Sequence, residues 1–196
     1  MTEKESPANY SAFDDAVASL SAARVRDEIE VGPIRPPQRL APLSHAVGLE
    51  VAHNDELYVP EQSEGDAFGR FILLCDPEGA EVWDGTMRIV TYIQADMDPA
   101  VATDPMVTEV AWSWLADGLT DRGVEFKMLG GTVTSTNSVR YGDLSGPPSA
   151  YQIELRASWT ALDTNLAPHL EAVADTLASV SGLPPVGVTS LADHKA

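Results

Sequence analysis

From Tyr151 to Thr160 the chain alternates without a break: Tyr151, Ile153, Leu155, Ala157 and Trp159 are apolar, while Gln152, Glu154, Arg156, Ser158 and Thr160 are polar. Successive side chains of a strand point to opposite sides, so this segment has one face to bury and one to leave wet. Such a strand does not suit a parallel doubly wound sheet, whose strands are buried on both faces. Other segments share the period. Met87, Ile89, Thr91 and Ile93 share one face of a strand that begins near Val82, with a bulge expected at Asp84-Gly85. Ile29 and Val31 alternate with Glu28 and Glu30 until Gly32-Pro33 stops them, and Val47, Leu49 and Val51 mark another strand. Phe71 to Cys75 is apolar throughout, and the Asp76-Pro77-Glu78-Gly79 that follows predicts a hairpin turn. Val124, Phe126 and Met128 open a further strand; Gly130-Gly131 predicts a bulge or kink in it, and Thr132 to Tyr141 is rich in β-branched residues.

Three segments carry the helical period instead. Phe13, Ala16, Val17, Leu20 and Ala23 predict a helix over 12–26, with Ser11 and Asp14 as a capping pair. Val107, Val110, Ala111, Trp114, Leu115 and Leu119 predict one over 105–122, between Asp104-Pro105 as start and Gly123 as stop. Leu166, Leu170, Val173, Leu177 and Val180 predict a third over 165–181, with Pro168 in its first turn and Gly182 at its exit. Pro36, Pro37 and Pro42 make Arg35 to Pro42 an extended connector. The order is then helix, three or four strands, helix, two strands, helix. With hairpin-length connections this is an α+β domain, a mainly antiparallel curved sheet with its helices on one face and the other face open. Leu20, Ile89, Trp114, Leu155, Trp159, Leu170 and Leu177 are expected in its core.

A length of 196 residues fits one domain at roughly 150 residues each. We read 1–11 as a flexible lead-in, 12–183 as the domain with a mobile acidic loop at about 53–67, and 184–196 as a loose tail. The formal charge of −18 repels phosphate backbones and anionic lipid, which argues against nucleic-acid and membrane partners. A single cysteine forms no internal disulfide and no cysteine-based zinc site. With no leader peptide or long apolar run, the expected compartment is the cytoplasm.

Motifs of catalysis are scarce. There is no phosphate-cradling glycine loop, no lysine-bearing P-loop and no serine elbow, and His45, His53, His169 and His194 lack metal spacing, so no cofactor or metal is expected. His45, beside the arginine-bearing connector, is a candidate for acid–base work or an ordinary strand-edge histidine. Cys75 ends an apolar run without a basic neighbour and reads as a small core residue. Trp112 lies off its helix stripe and is the candidate interface aromatic.

Arginine is the sharper signal, because its planar fork suits carboxylate and phosphate. Arg88, Arg140 and Arg156 are each out of phase with the apolar residues of their segments and should project from the polar side of the sheet. That placement suits cross-strand pairing with Glu154 and other acids, or a site for an acidic or anionic partner. The expected function is a non-enzymatic protein-binding or adaptor role through the open sheet face, with a protein partner and possible self-association into a homodimer. The alternative is an enzyme or small-anion binder on the arginine-bearing face.

Two resemblances accompany these readings. The order of elements resembles that of small acidic secretion chaperones, which dimerise and bind extended segments of other proteins. Particular words are more specific: Pro36-Pro37-Gln38-Arg39-Leu40-Ala41-Pro42, Trp112-Ser113-Trp114-Leu115, Gly130-Gly131-Thr132-Val133-Thr134, Gly142-Asp143-Leu144 with Gly146-Pro147-Pro148, Arg156-Ala157-Ser158-Trp159 and Gly182-Leu183-Pro184-Pro185. Over about residues 12–191 they resemble the actinobacterial family known as domain of unknown function three thousand, a likeness that implies no activity, cofactor or site residue.

Overall fold

The computed structural model of the chain describes residues 7–51, 67–145 and 149–187. Helix α1 (Pro7–Ser19) ends in a 3-10 turn, Leu20–Ala22. Four strands follow, β1 (Ile29–Pro33), β2 (Leu43–Val51), β3 (Ala67–Ala80) and β4 (Gly85–Asp96). The short α2 (Pro99–Ala102), capped by Asp98, leads into α3 (Val107–Asp121). Then come β5 (Phe126–Ser138), β6 (Ala150–Ala161) and α4 (Ala167–Val180). The six strands form one unclosed sheet in the order β1-β2-β3-β4-β6-β5, antiparallel throughout, so the expected α+β architecture is the observed one.

Strand period explains which side is dry. Leu49, Phe71, Leu73, Ile89, Ile93, Ile153, Leu155 and Trp159 all face the helices and join one core with Leu115, Leu119, Leu170 and Leu177. The helices α3 and α4 lie side by side, with Gly118 beside Ala172, and Arg122, at the C-cap of α3, reaches Asp175 and Glu171 of α4. Helix α1 is tied in by the Ser19 hydroxyl, which accepts the Leu166 N–H at 2.8 Å.

Several local expectations shift. Helix α1 begins at Pro7, inside the segment read as a lead-in, because proline suits a first helical turn; Ser11 is interior to it and caps nothing. Asp76-Pro77-Glu78-Gly79 makes no hairpin turn. Strand β3 runs on to Ala80, its register against β4 slipping between Cys75 and Ala80 to absorb those residues as a bulge. The reversal comes at Glu81–Trp83 and Asp84, whose φ of 50° closes it, so the residues expected to bulge are the ones that turn. In β5 the slip falls at Met128-Leu129, just before the two glycines. Gly131 has another reason to be glycine: a Cβ there would collide with the Arg156 carbonyl oxygen and lie 2.9 Å from the Trp112 ring. Trp114, expected in the core, is half-buried at its margin. The acidic loop lies outside the described residues except for Ala67, which opens β3.

One buried polar pair was not legible. His169 of α4 is fully enclosed against β6, and its Nδ1 accepts the Trp159 Nε1–H at 3.0 Å. That bond leaves the proton of the neutral ring on Nε2, which has no partner among the described residues. Burial pulls the imidazole down to about 4, against an ordinary value of 6.5, with Asp163 opposing weakly. An unfolded histidine therefore takes up its proton before the folded one does. The neutral ring's contribution is fully present above about pH 6.5 and is lost as pH falls toward 4, a total of about 3 kcal/mol. Urea titrations between pH 7.5 and pH 4.5 should show that slope, and His169→Gln, which keeps an acceptor for the Trp159 N–H but does not titrate, should flatten it. In the same titration Leu155→Ala should lower stability by about 2–5 kcal/mol, since Leu155 is buried among β4, β6 and the helices.

Candidate functional site

The polar phase of each strand builds the face opposite the helices. Across β3, β4, β6 and β5 one row reads Arg70, Tyr92, Arg156, Thr132, and the next reads Phe68, Gln94, Glu154, Thr134. On the other side of the arginine row lie Ile72, Val90, Ser158 and Gly130, then Leu74, Arg88, Thr160 and Lys127. This face is less open than the alternation implies. Ala46, Phe68, Leu74 and Thr160 point away from the helices yet are buried. The β1–β2 connector folds back over one end, Ile34 standing over Gly48 and the Pro37 carbonyl accepting the Ser44 hydroxyl. The β3–β4 turn covers another part, its Trp83 carbonyl accepting the Thr160 hydroxyl at 2.5 Å.

The three arginines singled out by phase come to three different ends. Arg156 is exposed within the sheet, its side chain 64% accessible, with Nε on Glu154 Oε1 at 2.8 Å and the guanidinium 5.3 Å from the centre of the Tyr92 ring. The pair is formed along one strand, not across two as expected. Arg88 is half-buried and held by three bonds: it donates to the Met128 carbonyl, the Thr160 hydroxyl and, at 2.7 Å, the Ser158 hydroxyl. Burial lowers its pKa, and its bonds pin the β5 bulge to β4 and β6. Arg140 is exposed but two residues beyond β5. Thr132 faces Arg156, and Ser138 lies six residues further along, about 20 Å away. His45 joins none of them, for it pairs with Leu73 on the helix side of β2.

Two participants had gone unassigned. Tyr92 stands between Arg156 and Arg70, and its hydroxyl lies 2.7 Å from both Glu154 Oε2 and the Gln94 amide oxygen position. A phenol has one proton, which goes to the carboxylate, so the Gln94 amide must be turned to donate. Glu154 is held below its ordinary pKa by the Tyr92 and Arg156 bonds, and Tyr92 is raised by burial and by the Glu154 charge. Arg70 is exposed, 5.8 Å over the Phe68 ring. Tyr92 is in phase with Arg88 and so was findable; Arg70 sits in an apolar run that hides its phase. Beside it opens a cleft of about 350 Å³, lined by Arg70, Phe68, Gly48, Ile34 and the carboxylates of Glu30 and Glu50. Those two acids face each other across β1 and β2 and oppose a free anion there.

Cys75 is buried, its thiol raised to about 11 chiefly by that burial, as befits a core residue. No group of His, Cys, Asp or Glu able to hold a metal occurs among the described residues, and none of their helices is long and apolar enough to cross a membrane. Residues 9–189 match the family described as protein of unknown function, DUF3000. The chain belongs to that family. Comparison of this DUF3000 member with curated proteins and with solved structures gives no match.

The geometry separates a buttress from a presented group. Arg88→Met should lower stability by about 1.5–3 kcal/mol, leaving the Met128 carbonyl, Ser158 and Thr160 without their charged donor. Arg156→Ala should leave the thermal midpoint within about a degree or two of the parent. Parallel melting curves of both variants check this.

Proposed function

We propose that this protein is a non-enzymatic, cytoplasmic adaptor of the actinobacterial cell that binds an extended acidic segment of a partner protein on the helix-free face of its sheet. The observation that carries the reading is the arrangement around Tyr92: Arg156 exposed and steadied by the ring and by Glu154, with Arg70 opposite Tyr92 on the other side. A guanidinium already held in place loses little freedom when a carboxylate arrives, and with its side chain 64% accessible it can be reached by one. The neighbouring row offers half-buried Ile72 and Val90 for apolar contact. Arg70, Arg88 and Arg156 outnumber Glu154 there, a local positive centre on a chain of −18, which favours an acidic partner over a basic one. A segment laid along β5 and β6 has Arg140 at its far end.

Capture from native cell extract on immobilised protein, followed by mass spectrometry, tests the reading when run beside variants. A stoichiometric protein partner should be retained by the parent, weakened by Arg140→Ala, and lost from the Arg70→Ala/Arg156→Ala double variant, with melting curves unchanged. A folded double variant that captures the same partner equally well would sink the proposal. A co-purifying small anion in place of a protein would replace it with the small-ligand alternative.

A further inference from the structure

A sheet edge presents unpaired N–H and C=O groups that template a strand from another chain unless something blunts them. The two edges of this sheet differ. Strand β1 is five residues long, carries Glu30 and ends in Pro33. Strand β5 has 13 residues and, among the described residues, pairs only with β6. From Met128 to Val139 it carries neither a charge nor a proline, in a chain of net charge −18. Its bulge sits at one end and leaves Gly130 to Ser138 in regular register with β6.

Which groups of β5 face outward follows from the bonds at the ends of β6. The Leu162 N–H donates to the Glu125 carbonyl, and the Met97 N–H donates to the Tyr151 carbonyl. Antiparallel bonding alternates residue by residue, so the even-numbered residues of β6 bond toward β5 and the odd-numbered ones toward β4. Gly130, Thr132, Thr134, Thr136 and Ser138 accordingly bond inward, and Gly131, Val133, Ser135 and Asn137 turn their N–H and C=O outward.

We propose that two copies of the chain join at this edge, β5 pairing antiparallel with β5 of the second copy about a two-fold axis through Thr134, so that the sheets become one. In that register Gly131 meets Asn137 and Val133 meets Ser135, so every outward residue faces another. Four N–H groups from each copy then find carbonyl partners. On the helix-free face Thr132 lies opposite Thr136, and Thr134 opposite its own copy, which are favourable cross-strand pairs. An antiparallel strand pair is its own complement under a two-fold axis, which suits a second copy of the same chain. Charge points the same way. Two chains of −18 repel over most of their surface, and this uncharged stretch between Lys127 and Arg140 lets them approach without setting carboxylates against each other. The two-fold also keeps both sets of helices on one side, so that Trp112, half-buried over Gly131, gains cover from the second copy's helices. The join uses main-chain groups of the edge and not the arginine face, so neither reading depends on the other.

Light scattering at micromolar concentration should give twice the monomer mass, with the dimer strengthened by salt, which screens the repulsion. Thr134→Cys should cross-link to itself on mild oxidation, since directly opposed residues of a non-hydrogen-bonded pair are within disulfide reach. Asn137→Cys should not, because the register sets the two copies of that residue far apart. The native Cys75 is buried and gives no background. Ser135→Pro should yield a folded monomer, as its N–H turns away from β6; should that variant unfold, Ser135→Lys applies the same test by charge. A monomeric parent, a dimer that survives Ser135→Pro or Ser135→Lys, or Asn137→Cys cross-linking as readily as Thr134→Cys would each overturn the proposal.

Discussion

Strand β6 bonds to β4 along one edge and to β5 along the other, while its apolar phase goes under α3 and α4. The rest of the molecule depends on that double commitment. Ile153, Leu155 and Trp159 are almost wholly removed from water, which stabilises by about 1.5–3 kcal/mol for each large side chain. The Trp159–His169 bond then ties the centre of the sheet to α4. Because side-chain direction in a strand has a period of two residues, burying these residues obliges Glu154, Arg156, Ser158 and Thr160 to face the other way. The arginine face is a direct consequence of how the core is made.

On that face, stability and availability divide between residues of the same type. Arg88 spends its donors on three neutral oxygens around the β5 bulge, where Met128 holds a φ of 54°. An exposed ion pair such as Arg156 with Glu154 contributes little to folding, so the guanidinium it positions remains ready for another carboxylate. The carboxylates at Glu30 and Glu50 set the opposite sign near β1, which divides the face into a positive centre and a negative flank.

Much of this was legible because periodicity is local. The helical stripes expected over 105–122 and 165–181 and the alternation over 151–160 mark α3, α4 and β6, and Arg88 and Arg156 lie on the polar side as their phase requires. Turn chemistry was less informative. Asp76-Pro77-Glu78-Gly79 permits a reversal, yet a chain that keeps pairing with β4 can absorb the same residues as a bulge, and only the partner strand decides between them. Arg140 failed to join Arg156 for a similar reason, since phase says nothing of distance along a strand.

The sequence by itself determined the class of fold, the dry face of each strand and helix, and the identity of the charges left outside, because these follow from residue type and from periods of two and 3.6. Only the tertiary structure decided that β6 enters between β4 and β5, leaving β5 at an edge. It also set Tyr92 between Arg70 and Arg156, and it buried His169, whose neighbours in sequence give no sign of the indole it meets. Those outcomes depend on contacts between segments far apart in the chain, which hairpin closure and helix docking set jointly and no local window contains.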